Sequence, residues 1–189
     1  MHLFAVMDGH GQHGHRASQY IREAIVGHIT EHLSKDKDFA LNPEGFHNRV
    51  PQYMHQTYMR VHDDLMKLNF DCHLSGSTAT SLLFDSRKIF CANVGDSRAV
   101  LYSLVKKSQF KITPLSDDHK PGLPAEKKRI ESVGGRVEPI LGPQGQWLGP
   151  DRVWMRNEDT PGLAMSRSLG DGLAHSLGVS SEPGKLEKC

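Results

Sequence analysis

The sequence predicts an α+β layered domain, in which an antiparallel meander of strands carries helices on its outside. Three observations predict it. The first third holds two long stretches whose apolar residues recur at helical spacing. Short β-rich runs separated by turn signals fill the middle. A shorter helical pattern follows and closes on Gly134-Gly135.

The apolar run Leu3-Phe4-Ala5-Val6-Met7 reads as a strand that stops at Asp8-Gly9-His10-Gly11. Residues 15–33 read as a helix, because Ala17, Tyr20, Ile21, Ala24, Ile25 and Ile29 share one face. Arg16, Glu23 and Glu31 fall elsewhere. A polar loop with Asn42-Pro43 leads to a second helical pattern over 44–69, with Tyr53, Met54, Thr57, Val61, Leu65 and Leu68 in its stripe. Pro51 lacks an amide proton and marks a kink or a fresh helix start. Two such helices require a sheet face to cover. The runs 78–84, 88–94 and 98–103 supply strands, with Asp85-Ser86-Arg87 as a hairpin turn and Gly95-Asp96-Ser97 between the next two. Residues 110–113 form a short edge-strand candidate. Glu126, Ile130 and Val133 suggest a helix over 122–133, ended by a left-handed cap at Gly134-Gly135. Residues 138–160 hold Pro139, Gly142, Pro143, Gly145, Trp147, Gly149 and Pro150, and read as loop. That loop is either a plain surface excursion or a mobile segment beside a site.

At 189 residues the chain is one domain by length. A formal charge of +1 gives no electrostatic footprint for nucleic acid or a membrane surface. No apolar run approaches the ~18 residues of a membrane span, and the N-terminus has no basic leader region. The three cysteines are odd in number and far apart, so a reducing compartment is the default, the cytoplasm with the nucleus as alternative. Cys91 reads as a core thiol. A monomer is expected. His10, His13 and His15 cluster, but their spacing is not that of helical zinc ligands and no cysteine joins them.

Asp8-Gly9-His10 carries the most chemistry. A strand delivers one carboxylate to a sheet edge, and Gly9 lets the backbone turn and bring its carbonyl close. His10 titrates near neutral pH. These are suitable parts for a hard-metal site with an acid beside it. The plainer reading is an Asp-Gly turn after a strand. Asp96 and Arg98 read as turn organisers, with Asp96 bonded to nearby backbone. Arg167 and Asp171 read as framework that lies near the site at most. Asp118 and His119 precede Pro121, where they could cap a turn.

Further stretches follow in order: Ser75-Gly76-Ser77-Thr78-Ala79, Ala92-Asn93-Val94-Gly95-Asp96-Ser97-Arg98, Asp118-His119-Lys120-Pro121, Arg129 through Val137, and Ala164-Met165-Ser166-Arg167-Ser168-Leu169-Gly170-Asp171. Taken with Asp8-Gly9-His10-Gly11, they resemble the metal-dependent type 2C protein serine/threonine phosphatases, the PPM family. The resemblance covers residues 3 to 183. It implies a central antiparallel β-sandwich with helix pairs on both faces. It implies hydrolysis of phosphoserine and phosphothreonine in protein substrates by a metal-activated water. Two Mn²⁺ or Mg²⁺ ions about 3.5–4 Å apart would serve, with a weaker third. Asp8 would bridge the two, the Gly9 carbonyl would bind one, and Asp118 matches a position linked to the third. His10 would be the general acid. No residue is assigned to substrate binding.

The family pattern also includes an upstream strand with a phosphate-binding Arg and an acidic ligand. Downstream it adds Asp-Gly-x-Trp-Asp and Asp-Asn ligand motifs. None of these occurs here. Residues 1–183 therefore read as a partial, incomplete domain and 184–189 as a divergent tail. The span is short of the roughly six oxygen ligands a hard dication takes, and sheet edges and core faces should stand open. The alternative is a non-catalytic phosphatase-like module that binds phosphoproteins or a regulatory partner.

Overall fold

The structure, a computed structural model, describes residues 1–39, 41–85 and 87–184. Ser86, in the expected hairpin turn, and the tail 185–189 with Cys189 lie outside the described residues. β1 (His2–Val6) runs into β2 (Gly9–His10), and α1 (Gly14–Lys35) and α2 (Pro43–Leu65) follow. Next come β3 (Gly76–Ser77), β4 (Ala79–Phe84), β5 (Ile89–Val94), β6 (Val100–Lys106) and β7 (Gln109–Pro114). α3 (Pro124–Ser132) leads to β8 (Arg136–Leu141), β9 (Trp147–Met155) and β10 (Glu158–Leu163). β11 (Leu169–Gly170) and α4 (Gly172–Ser176) complete the described order. The named strands pair antiparallel, in the orders β1-β4-β5, β10-β9-β8, β11-β3-β2 and β6-β7. This is the expected class, antiparallel sheets flanked by helices.

The main core lies between the α1–α2 pair and the β1-β4-β5 sheet. Ala17, Ile21, Ile25 and Ile29 form the buried stripe of α1. They meet Phe46, Val50, Met54, Val61 and Leu65 of α2, and Ala79, Leu83, Phe90, Ala92 and Val94 of the sheet. Tyr58, fully buried, shares a 2.8 Å hydrogen bond with Ser81 and donates at 3.0 Å to the Ala92 carbonyl. The turn after β4 is fixed by the Asp85 carboxylate, which accepts from the Arg87 and Lys88 amides at 2.7 and 2.8 Å.

α2 does not restart at Pro51. It begins at Pro43, where the Asn42 side chain accepts from the Gly45 amide, and runs through Pro51 to Leu65. An interior proline costs about 3 kcal/mol. Burial of Phe46, Val50 and Met54 on the same face returns about 1.5–3 kcal/mol each, so packing outweighs the lost hydrogen bond.

The segment 138–160 is not loop. β8, β9 and β10 form a three-stranded meander there. α3 and α4 pack on it through Ile130, Val137, Val153, Leu163, Ala174 and Val179. Its prolines sit at irregularities of register, Pro139 between Glu138 and Ile140 and Pro161 beside Glu158. A strand tolerates proline at such bulges. The β6-β7 hairpin carries an uncovered apolar face, with Tyr102 59% and Ile112 63% exposed.

The site rests on the smallest sheet. β2, β3 and β11 align His10 with Gly76 and Gly76 with Gly170. Gly9, Ser77 and Leu169 form the neighbouring row.

Candidate active site

Asp8 is held by its backbone. Its amide donates to Thr78 Oγ1 at 2.9 Å, and the Thr78 amide donates to its carbonyl at 3.0 Å. Thr78 is buried and shares a 2.7 Å hydrogen bond with Ser97. The Asp8 side chain is exposed, and among the described residues nothing hydrogen-bonds or ion-pairs with its carboxylate. Gly9 is required by close approach: a Cβ there would lie 2.2 Å from the Gly14 carbonyl oxygen at the start of α1. The strand end and the helix start therefore meet backbone to backbone.

His10 turns inward. Its Nε2 lies 2.7 and 2.9 Å from the two carboxylate oxygens of Asp171. Asp171 has 6% side-chain exposure and His10 has 27%. Nδ1 of His10 is buried and makes no hydrogen bond of good geometry among the described residues, although the Asp8 backbone lies close enough to favour the charged ring. Leaving such an atom unsatisfied costs about 1–3 kcal/mol. Burial, the largest influence, works against protonation of the ring. The hydrogen bond and charge of Asp171, with the charge and backbone of Asp8, outweigh it and raise His10 above its ordinary 6.5.

The local chain is bent to place Asp171. The residue adopts the left-handed conformation, φ 51° and ψ 49°, at roughly 1–2 kcal/mol for a residue with a side chain, less for Asp. Its amide donates to the Ser75 carbonyl at 2.9 Å. Gly76, opposite His10, leaves the carboxylate its room: a Cβ there would lie 2.3 Å from Asp171 Oδ2. Beyond the corner, the Gly170 amide donates to His62 Nδ1 at 3.3 Å, and His62 stacks on His175.

The other expected residues lie elsewhere. Asp118 makes a bidentate pair with Arg98, both contacts 2.8 Å, and the guanidinium holds its carboxyl below the usual range. No direct contact joins Asp118 to Asp8 or His10 among the described residues. Asp96 pairs with Lys120. Arg167 is framework: with Arg129 it clamps the buried Glu126, whose carboxyl these hydrogen bonds keep below its ordinary value despite burial. Asp171, read with Arg167 as framework, instead touches the catalytic candidate. A residue 161 positions from His10 gives no local signal of that contact.

Asp8 offers a hard, uncommitted carboxylate, and the unsatisfied Nδ1 beside it fits a site that takes a group from outside the chain. The donor set is incomplete, however. Among the described residues no three His, Cys, Asp or Glu side chains converge as metal ligands. One carboxylate with one carbonyl does not hold two dications.

Comparison with known proteins shows the family and the fold. The family model described as protein phosphatase 2C matches residues 1–186. The chain is 34% identical to probable protein phosphatase 2C 35 of Arabidopsis thaliana over 97% of its own length and 53% of the relative's. It is 33% identical to probable protein phosphatase 2C 48 of Oryza sativa, over 96% of this chain and 54% of that protein. It thus spans about half the length of the curated relatives it matches. Its fold is similar to a serine-threonine phosphatase 2C from Toxoplasma gondii, with a TM-score of 0.76 at 21% identity over 96% of this chain and 61% of the other. A C. elegans sex determining protein gives a TM-score of 0.69 at 25% identity, over 96% and 38%.

Proposed function

The chain belongs to the protein phosphatase 2C family, and from that membership we propose that it contributes the acid side of an active site that hydrolyses phosphoserine and phosphothreonine in proteins. The observation that carries this reading is the strand-end pair Asp8 and His10, with the His10 ring held by Asp171. The family is metal-dependent. Here Asp8 and the Gly9 carbonyl would be donors to Mn²⁺ or Mg²⁺, completed by ligands this span does not supply, with Asp118 as a donor to a weaker third ion. Bound dications supply an activated water and neutralise phosphate charge; no step is assigned to them on the residues described.

The chain's own residues have two tasks. Asp8 presents negative charge from a fixed backbone. Against burial, Asp171 and Asp8 favour the charged form of His10, and the ring would give a proton to the departing seryl or threonyl oxygen. An alkoxide is a poor leaving group, so a placed acid accelerates its departure by about 10²–10⁴-fold. Phosphorylated proteins are the substrates this implies. We read residues 1–183 as one partial domain that acts as a monomer in the cytoplasm or nucleus. No helix of the described residues is long and apolar enough to cross a membrane. The non-catalytic alternative is not favoured, since the family match spans residues 1–186.

The test is an assay of the full-length protein on a phosphothreonine peptide with Mn²⁺ or Mg²⁺ added, then with strong chelator. Hydrolysis that needs the ion supports the reading. Full activity in chelator sinks the metal-dependent mechanism, and no hydrolysis under either condition sinks the enzyme.

A further inference from the structure

We infer that the groove between the start of α1 and the segment that follows α2 is a substrate subsite, in which Arg16 receives an aspartate or glutamate side chain near the phosphorylated residue of the protein substrate. The inference rests on the proposed phosphatase reading.

The groove adjoins the site through shared backbone. Gly9 abuts Gly14, the first residue of α1, and Arg16 follows two residues later, about 3 Å along the axis. Phe70 faces it from the segment after α2, and the Arg16 guanidinium carbon lies 4.3 Å from the centre of the Phe70 ring. The same ring meets His13 edge-on, with centroids 5.9 Å apart. His13 donates its amide to Ser75 Oγ at 3.0 Å, and the Ser75 carbonyl accepts from the Asp171 amide. An extended peptide advances about 3.3–3.6 Å per residue. A substrate chain with its phosphate at Asp8 and His10 therefore reaches Arg16 within a few residues.

Charge decides what the groove takes. It encloses about 300 Å³ between Arg16, Gln19, Tyr20, Leu68, Asn69 and Phe70, room for a side chain or two rather than a cofactor. Elsewhere in the fold carboxylates occupy Arg49, Arg60, Arg98, Arg129, Arg136 and Arg167. Arg16 is exposed and held by a ring instead, with no hydrogen bond or ion pair among the described residues. Stacking covers the flat face of a guanidinium and leaves its N–H edge free to fork a carboxylate. It also places the side chain beforehand, so less freedom is lost on binding. Glu23 borders the far end of the groove, two helical turns along α1 and about 10 Å away, where its carboxylate accepts from Arg22. The near end thus carries one unpaired positive charge. A single arginine matches the single charge of an acidic side chain, whereas phosphorylated motifs and anionic lipid surfaces call for clusters of basic residues. Leu68 and Phe70 offer an apolar wall to its methylene groups.

The experiment uses the full-length protein with added Mn²⁺. Phosphothreonine peptides carry one glutamate, moved a position at a time along each side of the phosphorylated residue in an otherwise alanine background. One position should raise kcat/KM by about three- to tenfold, chiefly through KM, and the preference should fade at high salt. Arg16→Ala should erase the preference. Arg16→Glu should reverse it, favouring lysine over glutamate at that same position. A wild type with no positional preference, or a preference that Arg16→Glu leaves unreversed, overturns the inference. The wild-type scan needs no variant, and thermal melting shows that the variants are folded. A second arm reads binding alone, by fluorescence anisotropy of the same peptides with a phosphonate in place of the phosphate. If no peptide is hydrolysed but binding still depends on the glutamate and on Arg16, the phosphatase reading fails and the subsite stands. Hydrolysis that is indifferent to both overturns the subsite and leaves the phosphatase reading in place.

Discussion

His62 of α2 and His175 of α4 stack with ring centroids 4.1 Å apart and planes inclined by 22°. The pair links the second helix to the corner that carries Asp171. His175 donates to the Ser168 carbonyl at 3.0 Å, and His62 accepts from the Gly170 amide.

This pair should make the fold acid-sensitive. Burial first, and then the charge of His62, push His175 down to about 4; burial also lowers His62, against the opposing charges of Asp63 and Asp171. In the unfolded chain both rings take protons as pH falls through about 6.5. The stability they contribute is therefore complete above about 6.5 and is lost as pH falls toward about 4. His175 accounts for on the order of 3 kcal/mol of that loss. His119, also pushed to about 4 by burial, adds to the same slope. His10 opposes it: its stabilising contribution is complete below the unfolded value of about 6.5 and is lost as pH rises from there through the raised folded value. Urea midpoints at pH 7 and pH 5 measure the net loss. His175→Gln should flatten the slope, and an unchanged slope would refute the assignment.

Asp8→Asn should lower phosphopeptide hydrolysis by at least ~10²-fold, comparable to losing a principal electrostatic stabiliser. The fold should be nearly indifferent, within about 0.5 kcal/mol, because the hydrogen bonds of Asp8 are made by its backbone and its exposed carboxylate acts only through its charge on His10. Thermal melting and activity are read on the same sample. Retained activity with an intact melt would reduce Asp8 to a turn residue.

His10→Ala should reveal the leaving group. A seryl or threonyl oxygen needs a proton, so peptide hydrolysis should fall by ~10²-fold or more. Aryl phosphates, whose phenolates depart unaided more easily, should lose much less. Equal loss on both substrates would mean that the ring positions rather than protonates.

Gly76→Ala tests the space around the dyad. The new methyl would lie 2.3 Å from Asp171 Oδ2 and 2.5 Å from the Leu169 carbonyl oxygen. Overpacking of this kind costs about 1–3 kcal/mol. The carboxylate must move, so hydrolysis should fall with the leaving-group dependence expected for His10→Ala. A crystal structure of the variant with the His10–Asp171 contact unchanged would contradict this.

Much of the fold is legible in the sequence where burial follows a single period. The stripe of α1 is one case: Ala17, Ile21, Ile25 and Ile29 are buried as the spacing requires. The β8–β10 meander is not legible, because Pro139, Pro161 and several glycines disguise strands whose bulges absorb them. The strands β2, β3 and β11 are two residues long and rich in glycine, so no β signal marks them. At the site, Asp8 and His10 are readable because strand and turn are local. Asp171 is not, since only pairing between distant segments brings it to the ring.

That long-range pairing has a consequence during synthesis. His10 leaves the ribosome well before Gly76 and Gly170, and the row His10–Gly76–Gly170 joins three widely separated segments. Until residue 171 has emerged and the corner has closed, the imidazole has no carboxylate to hold it. Contacts this distant form late because loop closure must precede them. The contact between His10 and Asp171 thus closes only after most of the described residues have found their places.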